Sequence, residues 1–180
     1  MRKVLYLLGS LNDDDAEWLI ANGTKQQLAP GTAIIEEGRH PDALYIVLDG
    51  SLGADVAALG GQEVERLLAG EIVGEMSFVD ARPPSATVRA REPSVVLAIP
   101  RRLLTRKLEQ DSGFAARFYR AVALFLSDRL RGKVEMLGKE RAVALDEGEW
   151  AEDQLDPSVL DNVYLAGTRF ERMLKRLAVH

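Results

Sequence analysis

GEIVGEMSFVDARPPSATVRA, from Gly70 to Ala90, is the stretch on which the fold turns. Within it Val73-Gly74-Glu75-Met76-Ser77 places a glycine turn and an acid ahead of a short helix start. The first amides of a helix have no partners within it, and its dipole end is positive, which suits an anion. A carboxylate beside that anion would repel a bare phosphate. It would accept a hydrogen bond from a ribose hydroxyl, so a sugar-phosphate suits the pair better. Taken alone, a Gly-Glu pair at a turn is more commonly a capping carboxylate.

The flanking sequence is punctuated like an all-β domain. Between Thr24 and Pro100, short β-type runs alternate with glycine and proline: Ala33 to Ile35, Leu44 to Leu48, Leu52 to Leu59, Val64 to Leu68, Thr87 to Arg91 and Val95 to Ile99. Gly60-Gly61 reads as a hairpin turn between two of them. Such spacing predicts a sandwich, barrel or jelly roll. Ahead of it, the acidic, cap-rich Asn12 to Asp15 and the stop at Asn22-Gly23 predict a helix from about Asp13 to Ala21.

After Pro100 the period changes. Arg101 to Gln110 reads as a short helix. Phe114, Phe118, Val122, Leu126, Leu130, Val134 and Leu137 then recur at three- and four-residue intervals, predicting a continuous helix over about 114–137. Its stripe has two readings: a homodimer seam, favoured because Phe118, Val122, Phe125 and Leu130 offer more apolar surface than a small roll covers, or packing on the roll itself. From Asp146 to Asp161 there are seven acidic residues and no basic ones, interrupted by Pro157, which reads as a solvated linker. A last helix is expected over 161–177. Val163, Leu165, Phe170, Met173, Leu174 and Leu177 would dock on the body, with Arg169, Arg172, Lys175 and Arg176 outside. The chain is thus expected to divide at 142, into a β-roll with its long helix and a tail of linker and terminal helix.

Two motifs together make the Gly-Glu pair more than a cap. One is Ile34-Ile35-x-x-Gly38 followed by Leu44-Tyr45-Ile46-Val47-x-x-Gly50, and the other is the 70–90 stretch. Over about Leu11 to Leu137 the chain resembles the cyclic-nucleotide-binding superfamily of catabolite activators, kinase regulatory subunits and channel gating domains. The resemblance implies an α+β fold, an antiparallel jelly-roll-like β-roll flanked by an N-terminal helix and a long C-terminal dimerisation helix. It also implies cyclic AMP or cyclic GMP as ligand. Gly74 and Glu75 match the start of the family's phosphate-binding cassette. Glu75 would accept from the ribose 2′-hydroxyl, and the amides of Glu75, Met76 and Ser77 would line the sugar-phosphate. Ser85, Ala86 and Thr87 match the cassette's end, beside the cyclic phosphate. The chain departs from the family at three places. Arg39 and Pro41 replace an acidic or polar residue and a small one, and Pro84 stands where the cassette has its phosphate arginine.

Proline brings neither charge nor N–H. Two readings of the pocket follow: Arg82, two residues upstream, reaches the phosphate in its place, or the pocket no longer holds cyclic nucleotide. The corresponding functions are a stand-alone sensor acting through contacts with a protein partner, and a ligand-free scaffold of the same fold.

Composition sets outer bounds. With 47% hydrophobic and 28% charged residues in 180, the chain has material for a core. It has no cysteine, which excludes disulfides and suits a cytoplasmic location. The apolar run at Val4 to Leu8 is too short for a signal peptide or a membrane span. A net charge of −5 and the acidic tail disfavour nucleic-acid binding, and with it a third reading as a transcription regulator. No catalytic or metal-ligand pattern is present, so an enzyme is not expected.

Overall fold

A computed structural model describes residues 3–80, 82–142 and 157–179, with the backbone alone described at 3, 5, 128–129, 132–133, 135–142 and 157–163. Among the described residues eight strands form two antiparallel four-stranded sheets: β1 (Thr24–Leu28), β2 (Ala33–Ile35), β3 (Ala43–Asp49), β4 (Ser51–Val56), β5 (Gln62–Leu68), β6 (Ile72–Val73), β7 (Thr87–Ala90) and β8 (Ser94–Pro100). The orders are β1-β8-β3-β6 and β2-β7-β4-β5. The helices are α1 (Lys3–Ser10), α2 (Asp13–Asn22), α3 (Arg101–Gln110), α4 (Ser112–Ala142) and α5 (Pro157–Arg176). This is the antiparallel β-roll with flanking helices that the sequence predicts.

Strand β3 explains the layering. Ala43 to Leu48 is apolar at every position and buried on both faces, the mark of a strand covered on each side. Leu44, Ile46 and Leu48 face a core shared with the helices, while Ala43, Tyr45 and Val47 face the space between the sheets. Beside it Gly50 turns the chain into β4 at φ 78°, with Pro93 and Ser94 so near that a Cβ would collide with their backbone. Only glycine fits both demands.

The helix ends follow their residues. Asn12 caps α2 in a reciprocal capping box with Asp15. Asp15 is buried and also receives Nε and Nη2 of Arg117 on α4, at 2.6 and 3.0 Å. Helix α4 runs five residues beyond the predicted 137. Its first half is core: Phe114, Phe118, Val122 and Phe125 are buried against their own chain. Three of the four side chains offered for a dimer seam are therefore spent inside the protomer. Leu130 and Val134 remain 65% and 60% exposed.

The terminal helix begins at Pro157, earlier than predicted, because proline is well suited to the first position of a helix. Residues 143–156, which hold most of the acidic run, lie outside the described residues. Ala166, Phe170 and Met173 are buried in the core shared with α1 and α4, whereas Leu165 is exposed. Arg169 is a further correction. Its side chain is 12% exposed, and its guanidinium donates to the carbonyls of Leu8 (2.6 Å) and Leu11 (2.7 Å) and to Asp13 (2.6 Å). It closes carbonyls at the end of α1 that have no helical partner, and it holds the Asp13 carboxyl below its ordinary pKa, chiefly by that hydrogen bond. Arg169→Ala should lower the unfolding free energy by about 1–3 kcal/mol, read by urea denaturation. An unchanged midpoint would show that α5 is held by its apolar face alone.

Candidate functional site

A cleft of about 300 Å³ opens on the sheet β2-β7-β4-β5, within the size range of small-molecule sites, roughly 300–1,000 Å³. Both ends of the 70–90 stretch line it. Gly74, Glu75, Met76 and Ser77 form one wall, and Arg82, Ser85 and Ala86 the other, with Pro83 and Pro84 between them.

Gly74 adopts φ 92°, the left-handed turn a glycine permits, and starts a 3-10 turn over Glu75–Phe78. That turn is tied down from within and from outside. The Ser77 hydroxyl donates to the Gly74 carbonyl at 2.7 Å. Arg101, the first residue of α3, donates from Nη1 to Ser77 Oγ and from Nη2 to the Ser77 carbonyl, both at 2.7 Å. Its guanidinium also lies 4.7 Å from the centre of the Phe78 ring. Ser77 therefore spends its hydroxyl holding the turn. Arg101 is a site residue that sequence reading misses, because its position reads only as a helix start.

Glu75 is 5% exposed, at the floor of the cleft. It also borders a void of about 10 Å³, room for one water, lined by Leu7 of α1 and by Phe118, Val122 and Phe125 of α4. One carboxylate thus touches both the cleft and the helix packing behind it. Met76 is half exposed at the rim.

The other wall is anchored to the first motif. The Gly38 amide donates to the Pro84 carbonyl at 2.9 Å, and the Glu37 amide donates to Thr87 Oγ1 at 3.1 Å. The two sequence motifs interlock here. Thr87 opens β7 with its hydroxyl engaged by that amide, and it is the one predicted site residue that does not line the cleft. Arg82 is exposed, with its amide donating to Asp80 Oδ1 at 3.2 Å. Among the described residues it is the only basic side chain lining the cleft, against the carboxylates of Glu65, Glu75 and Asp80. Arg39 and Arg89 stand on the surface, beside Glu36 and Asp55.

Among the described residues there is no cluster of three His, Asp or Glu able to hold a metal, and no helix long and apolar enough to cross a membrane. The family described as cyclic nucleotide-binding domain matches residues 25–111. Two curated relatives are cGMP-dependent protein kinases. That of Eimeria tenella is 40% identical over 83 residues and that of Toxoplasma gondii 36% over 83. Each match covers 46% of this chain and 8% of the kinase, so the chain spans under a tenth of those relatives. Among solved structures, the N-terminal domain of a transcriptional regulator from Streptomyces coelicolor is 28% identical, with a TM-score of 0.58, over 81% of this chain and 99% of that one. The catabolite activator protein of Thermus thermophilus shares the fold at 24% identity and TM-score 0.59, over 96% of this chain and 86% of that one. A buried Glu75 behind a left-handed Gly74 and two motifs locked around one cleft all fall within the matched segment, so residues 25–111 carry the hallmarks of a cyclic nucleotide-binding domain.

Proposed function

We propose that the chain is a sensor that binds cyclic AMP or cyclic GMP in this cleft and signals through contacts with a protein partner. The observation that carries the reading is the cleft itself, walled by both ends of the 70–90 stretch with Glu75 buried at its floor. A ribose hydroxyl would donate to Glu75. The cyclic phosphate would sit toward Ser85 and Ala86, with Arg82 supplying the cation. Because Glu75 also borders the void against α1 and α4, a ligand there has direct means to favour one packing of α4 over another. A ligand shifts such an equilibrium only through contacts that differ between the two states, and Glu75 is placed to make them.

Calorimetric titration of the full chain with cyclic AMP and cyclic GMP tests this. Micromolar binding to either is expected. The absence of heat from both would overturn the reading and leave the ligand-free scaffold, which the proline at 84 favours.

We further propose that two chains pair through the outer half of α4. Leu130 and Val134 lie one turn apart, at i and i+4, and both are exposed. Wild type should scatter light as a dimer at micromolar concentration, and Leu130→Glu combined with Val134→Glu should leave a folded monomer. A monomeric wild type would end the proposal.

A further inference from the structure

Helix α3 carries positive charge that its own surroundings do not neutralise. Arg101, Arg102, Arg106 and Lys107 fall within its ten residues, in a chain whose net charge is −5. Two of the four are engaged: Arg101 holds Ser77, and Lys107 meets Asp111 at 2.7 Å. Arg102 and Arg106 are exposed, and neither makes an ion pair among the described residues.

These two arginines line an open groove of about 560 Å³, together with Asp42, Arg101, Thr105 and Glu109. Arg102, Thr105, Arg106 and Glu109 stand at i, i+3, i+4 and i+7 of α3, so they share one face. Residues four apart on a helix have Cβ atoms about 5–6 Å apart. Side chains two apart on an extended segment are about 7 Å apart. The guanidinium pair therefore matches two carboxylates of an extended segment with acids at alternate positions. Each carboxylate can take a bidentate pair of hydrogen bonds from its arginine.

The groove is bounded at both ends by acids. Asp42 adjoins Arg101, whose amide donates to its carbonyl at 2.7 Å, and Glu109 lies two turns further along α3. The positive face is thus only about 12 Å long. A long polyanion would run its phosphates onto both acids, whereas a short acidic segment fits between them. The groove is also joined to the nucleotide cleft. Arg101 fastens the turn that begins at Glu75, and Pro41, beside Asp42, lines the cleft itself. A partner seated on α3 would touch the residue that holds the binding turn in place.

We propose that this face of α3 docks a protein partner that presents a short acidic segment, its carboxylates held by Arg102 and Arg106. This rests on the reading of the chain as a sensor acting through a protein partner, and adds that partner's chemistry to it. Arginine suits the role, because its planar fork stays charged and is more weakly hydrated than an ammonium group.

The test is fluorescence anisotropy of a labelled hexaglutamate peptide at low salt, where surface charges are least screened. The net charge of −5 repels this probe, so affinity reports a local site. Wild type should bind it with a Kd below about 1 mM. Arg102→Glu combined with Arg106→Glu should weaken binding by at least about tenfold. Arg172→Glu combined with Lys175→Glu reverses the same charge on the exposed face of α5, and should change the Kd by less than about threefold. Arg102→Gln combined with Arg106→Gln adds no negative charge and should still weaken binding, with an unchanged thermal melt excluding a folding defect. Undetectable peptide binding, or equal loss in both charge-reversed pairs, overturns the docking surface. Tighter binding of a short DNA duplex than of the peptide, lost with Arg102 and Arg106, overturns the acidic protein partner. The sensor reading is judged separately, by the cyclic-nucleotide titration, which needs neither arginine.

Discussion

Pro84→Arg tightens the binding of cyclic AMP or cyclic GMP by roughly ten- to hundred-fold, the value of about 1.5–3 kcal/mol for a charge-assisted hydrogen bond to phosphate. The electrostatics of the cleft set the direction. A cyclic phosphate brings one negative charge to a site lined by Glu65, Glu75 and Asp80, with Arg82 as the only basic lining side chain among the described residues. A second cation is therefore worth more here than in a neutral pocket. The backbone tolerates the change, since the contact that fixes position 84 is its carbonyl, accepting from the Gly38 amide, and any residue retains it. In the converse experiment Arg82→Ala removes the one lining cation and should reduce wild-type binding below detection. In the Pro84→Arg background the same change should cost far less, because the new arginine serves the phosphate. Isothermal titration of the four proteins separates these terms. Tight wild-type binding that survives Arg82→Ala would show that a cation from outside the described lining meets the phosphate.

The features legible in the sequence are those with a short-range physical cause. Gly50 and Gly74 declare positive-φ turns, Asn12 and Asp15 declare a helix start, and the three- and four-residue spacing after Phe114 declares a helix. Strand β1 escaped because Thr24, Lys25, Gln26 and Gln27 are all exposed on a sheet edge, leaving Leu28 as the only buried side chain. Helix α1 escaped because eight residues around Val4 to Leu8 are too short and too uniformly apolar to show a period. In β5 the apolar run from Val64 to Leu68 leaves its facing open: Val64 and Leu68 are exposed while Leu67 is buried and Glu65 meets the cleft. The register shift opposite Ala54 and Asp55 decides that, and no residue in the run announces it. Arg169 misleads in the same way: a long stem lets a charge reach buried carbonyls from a position that reads as surface.

Phe118→Ala should lower the unfolding free energy by about 3–5 kcal/mol, the cost of emptying a fully buried aromatic site. Phe118 has no exposed surface, and its surroundings leave little freedom to collapse into the space. It stacks on Phe114 at 6.0 Å between centroids and meets Phe78 edge-on at 6.1 Å. Phe78 ends the 3-10 turn that begins at Glu75, and Arg101 lies over its ring while holding Ser77. The aromatic pair thus joins the floor of the cleft to α4, on the same helix face that borders the void beside Glu75. Such contacts are worth about 0.5–1.5 kcal/mol beyond the area they bury, so part of the loss should appear as looser seating of the Glu75 turn. Two readouts follow. Urea denaturation followed by circular dichroism should show the full loss, and the milder Phe118→Leu, which keeps an apolar side chain in the site, should lose less stability while still weakening nucleotide binding. If Phe118→Ala cost less than about 1 kcal/mol, α4 would not be seated on the roll as described. If Phe118→Leu left the affinity untouched, the path from Glu75 to α4 would have to run through Val122 and Phe125 instead.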